Sequence, residues 1–122
     1  MRNISFMLTT GQIRGRTKTV TRRMGWAFAK VGVKLMAVEK SQGLGRGGKI
    51  VRLGPVRLID VRREPLDALV ADLAYGYRET ALEGFPAGSR YSDPFKFVNW
   101  FCSSHRGCTP STIITRLEFE YL

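Results

Sequence analysis

The stretch RGRTKTVTRRMGW, residues 14–26, places one lysine and three threonines among four arginines. Lys18 and Thr21 are three positions apart, close enough to face one cavity on a tight turn or a helix. Neighbouring cations and burial both favour the neutral form of a lysine, and a neutral amine can act as general base for a hydroxyl. The pair therefore predicts nucleophilic chemistry at Thr21.

Amide hydrolysis also needs a proton for the departing amine. Glu83 is the candidate carboxylate, because it stands at the end of a short predicted helix beside Gly84 and Phe85. One interpretation of this region is that Lys18, Thr21 and Glu83 form a catalytic trio. The other interpretation, which the residues leave open, is that the basic segment is a solvated face.

The basic segment also suits phosphate binding, because the positive charge is concentrated in one part of the chain. Residues 1–63 hold 15 Lys/Arg and 2 Asp/Glu, a net +13, whereas residues 64–122 carry a net −3. Such asymmetry favours a polyanionic partner, and we expect RNA or a nucleoside. Trp26 suits either base stacking or a place in the core. The candidate phosphate ligands are Arg14, Arg16, Arg22, Arg23 and Lys40.

A glycine-rich stretch, SQGLGRGGK, has the spacing of a nucleotide phosphate loop at Gly43 and Gly48-Lys49. That motif needs Ser or Thr after the lysine to reach magnesium, and a helix behind it. Ile50 follows instead, and the next segment reads as a strand. The stretch is therefore predicted to be a flexible basic loop.

Cys102, His105 and Cys108 offer three zinc ligands in the stretch CSSHRGC. A structural zinc site needs a fourth ligand, and none stands nearby. We therefore expect no metal, and no residue pattern indicates a cofactor. Both cysteines are expected to be thiols, because no signal peptide or spanning run of about 20 apolar residues is seen and the cytoplasm is the predicted location.

The elements that must hold these side chains follow from hydrophobic spacing. Strands are predicted for ISFMLTT, VKLMAVEK and IVRLGPVRLIDVRRE, with a break or bulge at Gly54-Pro55, and a short helix is predicted near Thr10. The tail alternates cleanly, which is typical of a half-buried strand. Its inner face would hold Ile113, Thr115, Leu117, Phe119 and Tyr121, and its outer face Arg116, Glu118 and Glu120.

Three helices are predicted between the last two strands. Leu66, Leu69, Val70 and Leu73 repeat at helical spacing. A shorter helix ends near Gly84, and a third begins with Asp93 as cap before Pro94. The pattern favours an α+β fold, a small β-barrel with interposed helices, forming one domain over residues 1–122.

Five motifs in order resemble the ASCH-domain proteins, especially small phage-type members: TKTVTRRMGW, VEKSQGL, VRREPL, LEGFP and TRLEFEYL. The family's signature is Gly, any residue, Lys, two residues, Thr or Glu, one residue, Arg. Lys18, Thr21 and Arg23 match its latter part, whereas Gly15 stands one residue too early. The resemblance implies a PUA-like β-barrel with a cleft beside the first helix that binds RNA or a nucleoside.

One bacterial branch of that family, the N4-acetylcytidine amidohydrolases, uses a lysine, a threonine and a glutamate. Lys18 and Thr21 in KTVT align with the first two, and Glu83 in LEGF is taken as the third by its place in the chain. Other members are described as RNA-binding or ribonuclease-like. Three functions therefore stay open: an RNA- or nucleoside-binding module, an amidohydrolase acting on an acylated cytidine, and a ribonuclease-like enzyme.

Overall fold

The structure is a computed structural model, and it describes residues 1–40, 45 and 47–122. Within these residues the strands are β1 (Arg2–Ser5), β2 (Val20–Arg23), β3 (Lys34–Val38), β4 (Arg52–Pro65) and β5 (Ile113–Tyr121). The helices are α1 (Thr10–Arg14), α2 (Ala68–Ala71), α3 (Leu73–Leu82) and α4 (Pro94–Ser104), with a 3-10 turn at Arg90–Ser92. The fold is α+β, as predicted.

The strands form one curled, half-barrel sheet in the order β1-β3-β4-β5-β2. β1 runs parallel to β3, and the other neighbouring pairs are antiparallel. Gly54 adopts φ +133°, and the register between β3 and β4 shifts at this point. The Gly54-Pro55 pair therefore bulges β4 and does not end it, because glycine tolerates this backbone conformation.

Two hydrophobic cores lie on opposite faces of the sheet. Successive side chains of β5 alternate between them, so that Ile114 enters one core while Leu117 and Phe119 enter the other. The first core contains Ile4, Phe6, Ile13, Leu35, Ala37, Val56, Leu58, Leu117 and Phe119. The second packs the helices against the sheet and contains Leu66, Leu69, Phe85, Phe97, Val98, Phe101 and Ile114.

The prediction that Arg116 lies on a solvent-facing side of β5 was wrong. Arg116 is 3% exposed and donates hydrogen bonds to Glu79 of α3. The face predicted to be solvated is covered by helices, which is why Ile114 on that same face is also buried. Burial of a charged side chain is costly unless the charge is paired, as that of Arg116 is with Glu79.

The helix predicted from the spacing of Leu66 to Leu73 is divided in two. Asp72 adopts an extended conformation between α2 and α3, and its carboxylate accepts a hydrogen bond from the Tyr75 amide. An aspartate in this position is a strong helix N-cap, and it starts a new helix at the expense of the longer one. Leu69 is buried in the second core, whereas Leu73 is 44% exposed.

The predicted start of α4 is confirmed. The Asp93 carboxylate accepts hydrogen bonds from the amides of Phe95 and Lys96, and Pro94 opens the helix. The short helix predicted near Thr10 is also confirmed, although Thr9 makes no side-chain capping bond. Helix α4 borders the cavity described next, and Thr9 at the start of α1 also lines it.

Candidate active site

A cavity of about 240 Å³ lies between the loop that follows β1, strand β2 and helix α4. Lys18, Thr21 and Glu83, the three candidate catalytic residues, all line it. They reach it from the loop after α1, from β2 and from the end of α3. The structure therefore brings together residues that lie up to 65 positions apart in the chain.

Lys18 is buried, and its amine is held by Glu83. Nζ lies 2.7 Å from Glu83 Oε1 and 3.0 Å from the Glu83 carbonyl oxygen. Gly84 follows at φ +101°, and a Cβ there would stand 3.1 Å from Lys18 Cβ. Glycine is therefore required beside the pair for the end of α3 to approach the lysine this closely.

Glu83 has a second cationic partner besides Lys18. Arg22 Nη1 lies 3.2 Å from Glu83 Oε2, so each carboxylate oxygen accepts from one cation. Burial is the largest cause that lowers the pKa of Lys18; Glu83 opposes it, and Arg23 and Arg22 act with it. When the lysine loses its proton, the Glu83 carboxylate therefore still has one cationic partner.

Thr21 lies in an extended strand, and the prediction of a tight turn or helix there was wrong. Strand alternation places Thr21 and Arg23 on one side of β2, where Arg23 Nε lies 3.0 Å from Thr21 Oγ1 and donates to it. Burial lowers the pKa of Arg23 to about 10. The hydroxyl accepts from this guanidinium, so its own proton is left to point at another acceptor.

Arg23 also connects the two edge strands of the sheet. Its Nη2 lies 2.6 Å from the Ser5 carbonyl oxygen at the end of β1. Its guanidinium carbon stands 4.8 Å from the centre of the Phe6 ring. The two edges that border the cavity are thus linked by this side chain.

Arg22 is not available for phosphate, although the sequence suggested it. Its side chain is 1% exposed, and Nη2 lies 2.6 Å from Glu79 Oε1 and 3.4 Å from Glu64 Oε1. Glu79 in turn pairs with Arg116, which sequence reasoning missed. The Nε of Arg22 is buried without a hydrogen-bond partner among the described residues. Because Arg22 lines the cavity, this N–H is a candidate donor to a ligand oxygen.

The wall opposite Lys18 is aromatic and comes from α4. Phe97, Trp100, Phe101 and His105 line the cavity. The ring of His105 stacks on Phe101 with centroids 4.1 Å apart. The sequence predicted that α4 packs through its aromatics, but not that His105 borders the same cavity as Lys18. The one sequence signal for a role of His105 at the site was that the chain contains no other histidine.

The remaining candidate phosphate ligands lie outside the cavity. Arg14 is exposed and 3.3 Å from Glu39, and Arg16 is exposed with its guanidinium 5.3 Å from the Tyr121 ring centre. Lys40 is half-buried beside the segment that lies outside the described residues. A role of these cations in binding RNA stays a prediction, but it is a role on the outer surface.

Trp26 also lies outside the cavity. It stacks on Phe28 with centroids 5.4 Å apart, and the Arg2 guanidinium stands 4.7 Å from the Trp26 ring. Trp26 packs against the first hydrophobic core while Phe28 is exposed. Both interpretations of Trp26, core and stacking surface, thus keep some support.

No group of three or more His, Cys, Asp or Glu able to hold a metal occurs among the described residues. His105 Nδ1 is 2.8 Å from the Phe101 carbonyl oxygen, and the sulfurs of Cys102 and Cys108 are 3.4 Å apart. Within the glycine-rich stretch, Gly43 lies outside the described residues, and Lys49 is exposed and followed by no helix.

No helix in the described ranges is both long and apolar enough to cross a bilayer. No family model and no curated protein matches the chain. Among solved structures, the chain is similar to the crystal structure of protein EF3133 from Enterococcus faecalis, family-model DUF984, with a TM-score of 0.54 and 13% identity. The similarity covers 94% of this chain and 67% of that chain. At this identity it shows the fold alone.

Proposed function

We propose that this chain is an ASCH-type, PUA-like protein whose cavity binds a nucleoside and hydrolyses the acyl amide of N4-acetylcytidine or a related modified cytidine. The observation that carries this proposal is the Lys18 amine, buried 2.7 Å from the Glu83 carboxylate in the cavity that Thr21 also lines. A buried amine that shares a cavity with a hydroxyl suits general-base activation of a nucleophile once a ligand brings the two groups into contact.

The size of the cavity supports a nucleoside in preference to a longer ligand. Sites for drug-sized ligands measure roughly 300–1,000 Å³, and this cavity of about 240 Å³ is smaller. Its walls offer the aromatic side chains of α4 on one side and the donors of Arg22 and Arg23 on the other. A flat ring with carbonyl oxygens suits that combination.

In the first step, Thr21 Oγ attacks the acyl carbonyl carbon and its proton passes to the neutral Lys18 amine. The hydroxyl accepts a hydrogen bond from Arg23, which holds its oxygen and stabilises negative charge on it. The buried Nε–H of Arg22 has no partner among the described residues, and in this proposal it donates to an oxygen of the ligand. Attack converts the carbonyl oxygen into an oxyanion bound to a tetrahedral carbon.

In the second step, the carbon–nitrogen bond breaks and the exocyclic nitrogen takes the proton held by Lys18. Cytidine leaves, and the acyl group remains as an ester on Thr21. Water then attacks this ester with Lys18 accepting its proton, the carboxylic acid departs, and the proton returns to Thr21 Oγ. Atoms and charges balance without a cofactor.

Glu83 receives a different role in this mechanism from the one its sequence position suggested. Both of its oxygens accept from cations, Lys18 on one side and Arg22 on the other, so it has no proton to give. We therefore assign the proton transfer to the leaving amine to Lys18. Glu83 orients the lysine, and its contact with Arg22 leaves the carboxylate one cationic partner when the lysine loses its proton.

Binding of RNA is the second candidate function, and one observation favours it. The first 38 residues contain eight Lys/Arg and no Asp or Glu. Arg14, Arg16, Lys30 and Lys34 are exposed in this segment. An acid-free, exposed basic surface beside the cavity would attract a phosphate backbone while the cavity received one nucleoside.

Incubation with N4-acetylcytidine, followed by chromatography for cytidine and acetate, tests the enzymatic proposal. The wild type should release both in equal amounts, and Lys18→Met should lower the rate by at least about 100-fold. Lys30→Met, which changes an exposed lysine outside the cavity, should match the wild type. No release from the nucleoside or from an N4-acetylated RNA oligonucleotide would reject the enzyme and leave the binding function.

A further inference from the structure

His105 is held in one orientation at the end of α4. Its Nδ1 lies 2.8 Å from the carbonyl oxygen of Phe101, and its ring stacks on the Phe101 ring with 19° between planes. A carbonyl oxygen can only accept a hydrogen bond, so Nδ1 must carry the proton. In the neutral imidazole, Nε2 is then an acceptor.

Nε2 makes no hydrogen bond in the part of the chain that the structure describes. It lies on the other side of the ring from Nδ1, and the residue that carries it lines the cavity. His105 is half-buried, so the ring is both packed and reachable. A residue that lines the cavity therefore carries a hydrogen-bond acceptor in a fixed orientation.

Several other polar groups of the cavity are donors or are already occupied. Arg22 and Arg23 can only donate. The two carboxylate oxygens of Glu83 accept from Lys18 and Arg22, and the Ser5 carbonyl accepts from Arg23. Thr9, Thr21 and Ser104 also line the cavity, and their hydroxyls can donate or accept, whereas Nε2 of this neutral tautomer can only accept. His105 Nε2 is therefore a dedicated acceptor for a ligand that carries an N–H or O–H.

We propose that His105 is a ligand-binding residue whose neutral Nε2 accepts a hydrogen bond from an amino or hydroxyl group of the bound nucleoside. The inference rests on the proposed nucleoside cavity, but it does not need turnover. Protonation of Nε2 replaces this acceptor with a donor. The cavity therefore loses this contact with its ligand when His105 becomes charged.

Charged and titratable groups near the imidazole come from several elements. None of them is hydrogen-bonded to the ring in the described part of the chain. Across the cavity stand Lys18, Arg22, Arg23 and Glu83, and on the same segment stand Cys102, Arg106 and Cys108.

The test uses cytidine, the expected product, with the intact protein. His105 is the only histidine in the chain, so one proton resonance of its ring reports the titration without assignment. Saturating cytidine should move the midpoint of that titration to lower pH. By reciprocity, the Kd for cytidine should rise as pH falls, by up to about tenfold per pH unit between the midpoints of the free and the bound protein, and should then level off.

Variants separate recognition from a structural role. His105→Gln keeps an acceptor that does not titrate, so cytidine should still bind and its Kd should lose the dependence on pH. His105→Phe keeps the stack on Phe101 without the acceptor and should weaken binding roughly 5-fold at pH 8. Lys96→Gln alters an exposed residue of α4 outside the cavity and should keep the wild-type affinity and pH dependence.

Two further ligands identify the donor. Uridine lacks the exocyclic amine, and 1-methylcytosine lacks the ribose. If one of these ligands binds but no longer shifts the His105 titration, the group that it lacks is the one that Nε2 contacts. Cytidine binding that leaves the titration and both His105 variants unaffected would overturn the inference while the nucleoside cavity stands. Absence of binding at every pH would overturn both. Cytidine binding governed by His105 without any hydrolysis would remove only the enzymatic proposal.

Discussion

Lys18 Nζ and Glu83 Oε1 lie 2.7 Å apart although 65 residues separate them in the chain. Both side chains are almost completely buried. A buried pair of this kind is expensive to desolvate and is weak evidence for stability. Its position in the wall of a cavity, with a second cation on the same carboxylate, is what indicates chemistry.

We expect substitution of Thr21 and substitution of Thr19, the two threonines of KTVT, to have different effects on the rate of hydrolysis. Thr21→Ala should lower the rate of N4-acetylcytidine hydrolysis by at least about 100-fold, because it removes the nucleophilic oxygen. Thr19→Ala should have little effect, because Thr19 is held by its main chain, whose amide donates to Leu82 and whose carbonyl accepts from Phe119. Thermal melting of both variants checks the fold. Equal losses of activity would point to structural damage.

The rate should rise with pH as the neutral fraction of Lys18 grows. Burial is the largest cause that lowers the pKa of Lys18 from its ordinary value of 10.5, so the ascending limb of kcat/KM should end below that pH. A limb that follows an unperturbed lysine would contradict the assignment.

The same lowered pKa of Lys18 affects stability with a defined sign. As pH rises through the folded-state value towards 10.5, the unfolded chain holds a proton that the folded chain has released. The contribution of Lys18 to the free energy of unfolding therefore increases with pH across that window. Urea unfolding of wild type and Lys18→Met measures it, since the variant should lack this increment.

Two leucines from the helical stripe should respond differently to truncation. Leu69→Ala should lower the free energy of unfolding by about 2–5 kcal/mol, because Leu69 is 1% exposed in the second core. Leu73→Ala should change it by less than about 0.5 kcal/mol, because Leu73 is 44% exposed. Chemical denaturation resolves the two cases. Similar values for both would mean that the helix is not divided at Asp72.

If the outer basic surface binds RNA, affinity should fall steeply with salt, because phosphate contacts release counterions. Arg16→Ala should weaken binding and flatten the salt slope by about one unit. Arg78→Ala, an exposed arginine in the acidic part of the chain, is the matched control and should leave the slope unchanged. Fluorescence anisotropy with a short RNA measures both. Salt-independent affinity would mean that the basic segment is only a solvated face.

Purified protein should contain no stoichiometric zinc. Cys102 and Cys108 stand next to each other, but the Nδ1 of His105 is engaged by its own helix. Three ligands on one short segment still lack a fourth. Elemental analysis that finds about one zinc per chain would contradict this expectation.

Most helices and strands could be predicted from residues that are close together in the sequence. Asp93 before Pro94 marks the start of α4, and the bulge at Gly54 follows from residues that cannot continue a regular ladder. The division at Asp72 was missed because the apolar spacing from Leu66 to Leu73 continues across it. There the side-chain cap of a single aspartate outweighs the periodicity.

The site was predictable only where neighbours in sequence are neighbours in space. Lys18 and Thr21 could be paired because they are close in sequence, although the turn or helix expected between them is a strand. Glu83 could be proposed only from its place at a predicted helix end and from resemblance to a family. Glu79 and Arg116 could not be found, because a charged residue is expected to face solvent unless its partner is known. Ile114, an apolar residue on the supposed outer face of β5, was the signal that this face is covered.

The link from Arg23 to Ser5 has a mechanical consequence. The ladder of main-chain hydrogen bonds begins at β1 and ends at β2, and the two margins of the half-barrel meet at the cavity through a guanidinium. Two strands linked by one side chain can separate when that side chain changes rotamer. Two strands joined by a ladder of main-chain hydrogen bonds can separate only when those bonds break. The same guanidinium donates to the Thr21 hydroxyl, so a rotamer change of Arg23 that separated the two strands would also remove the hydrogen bond that holds this hydroxyl.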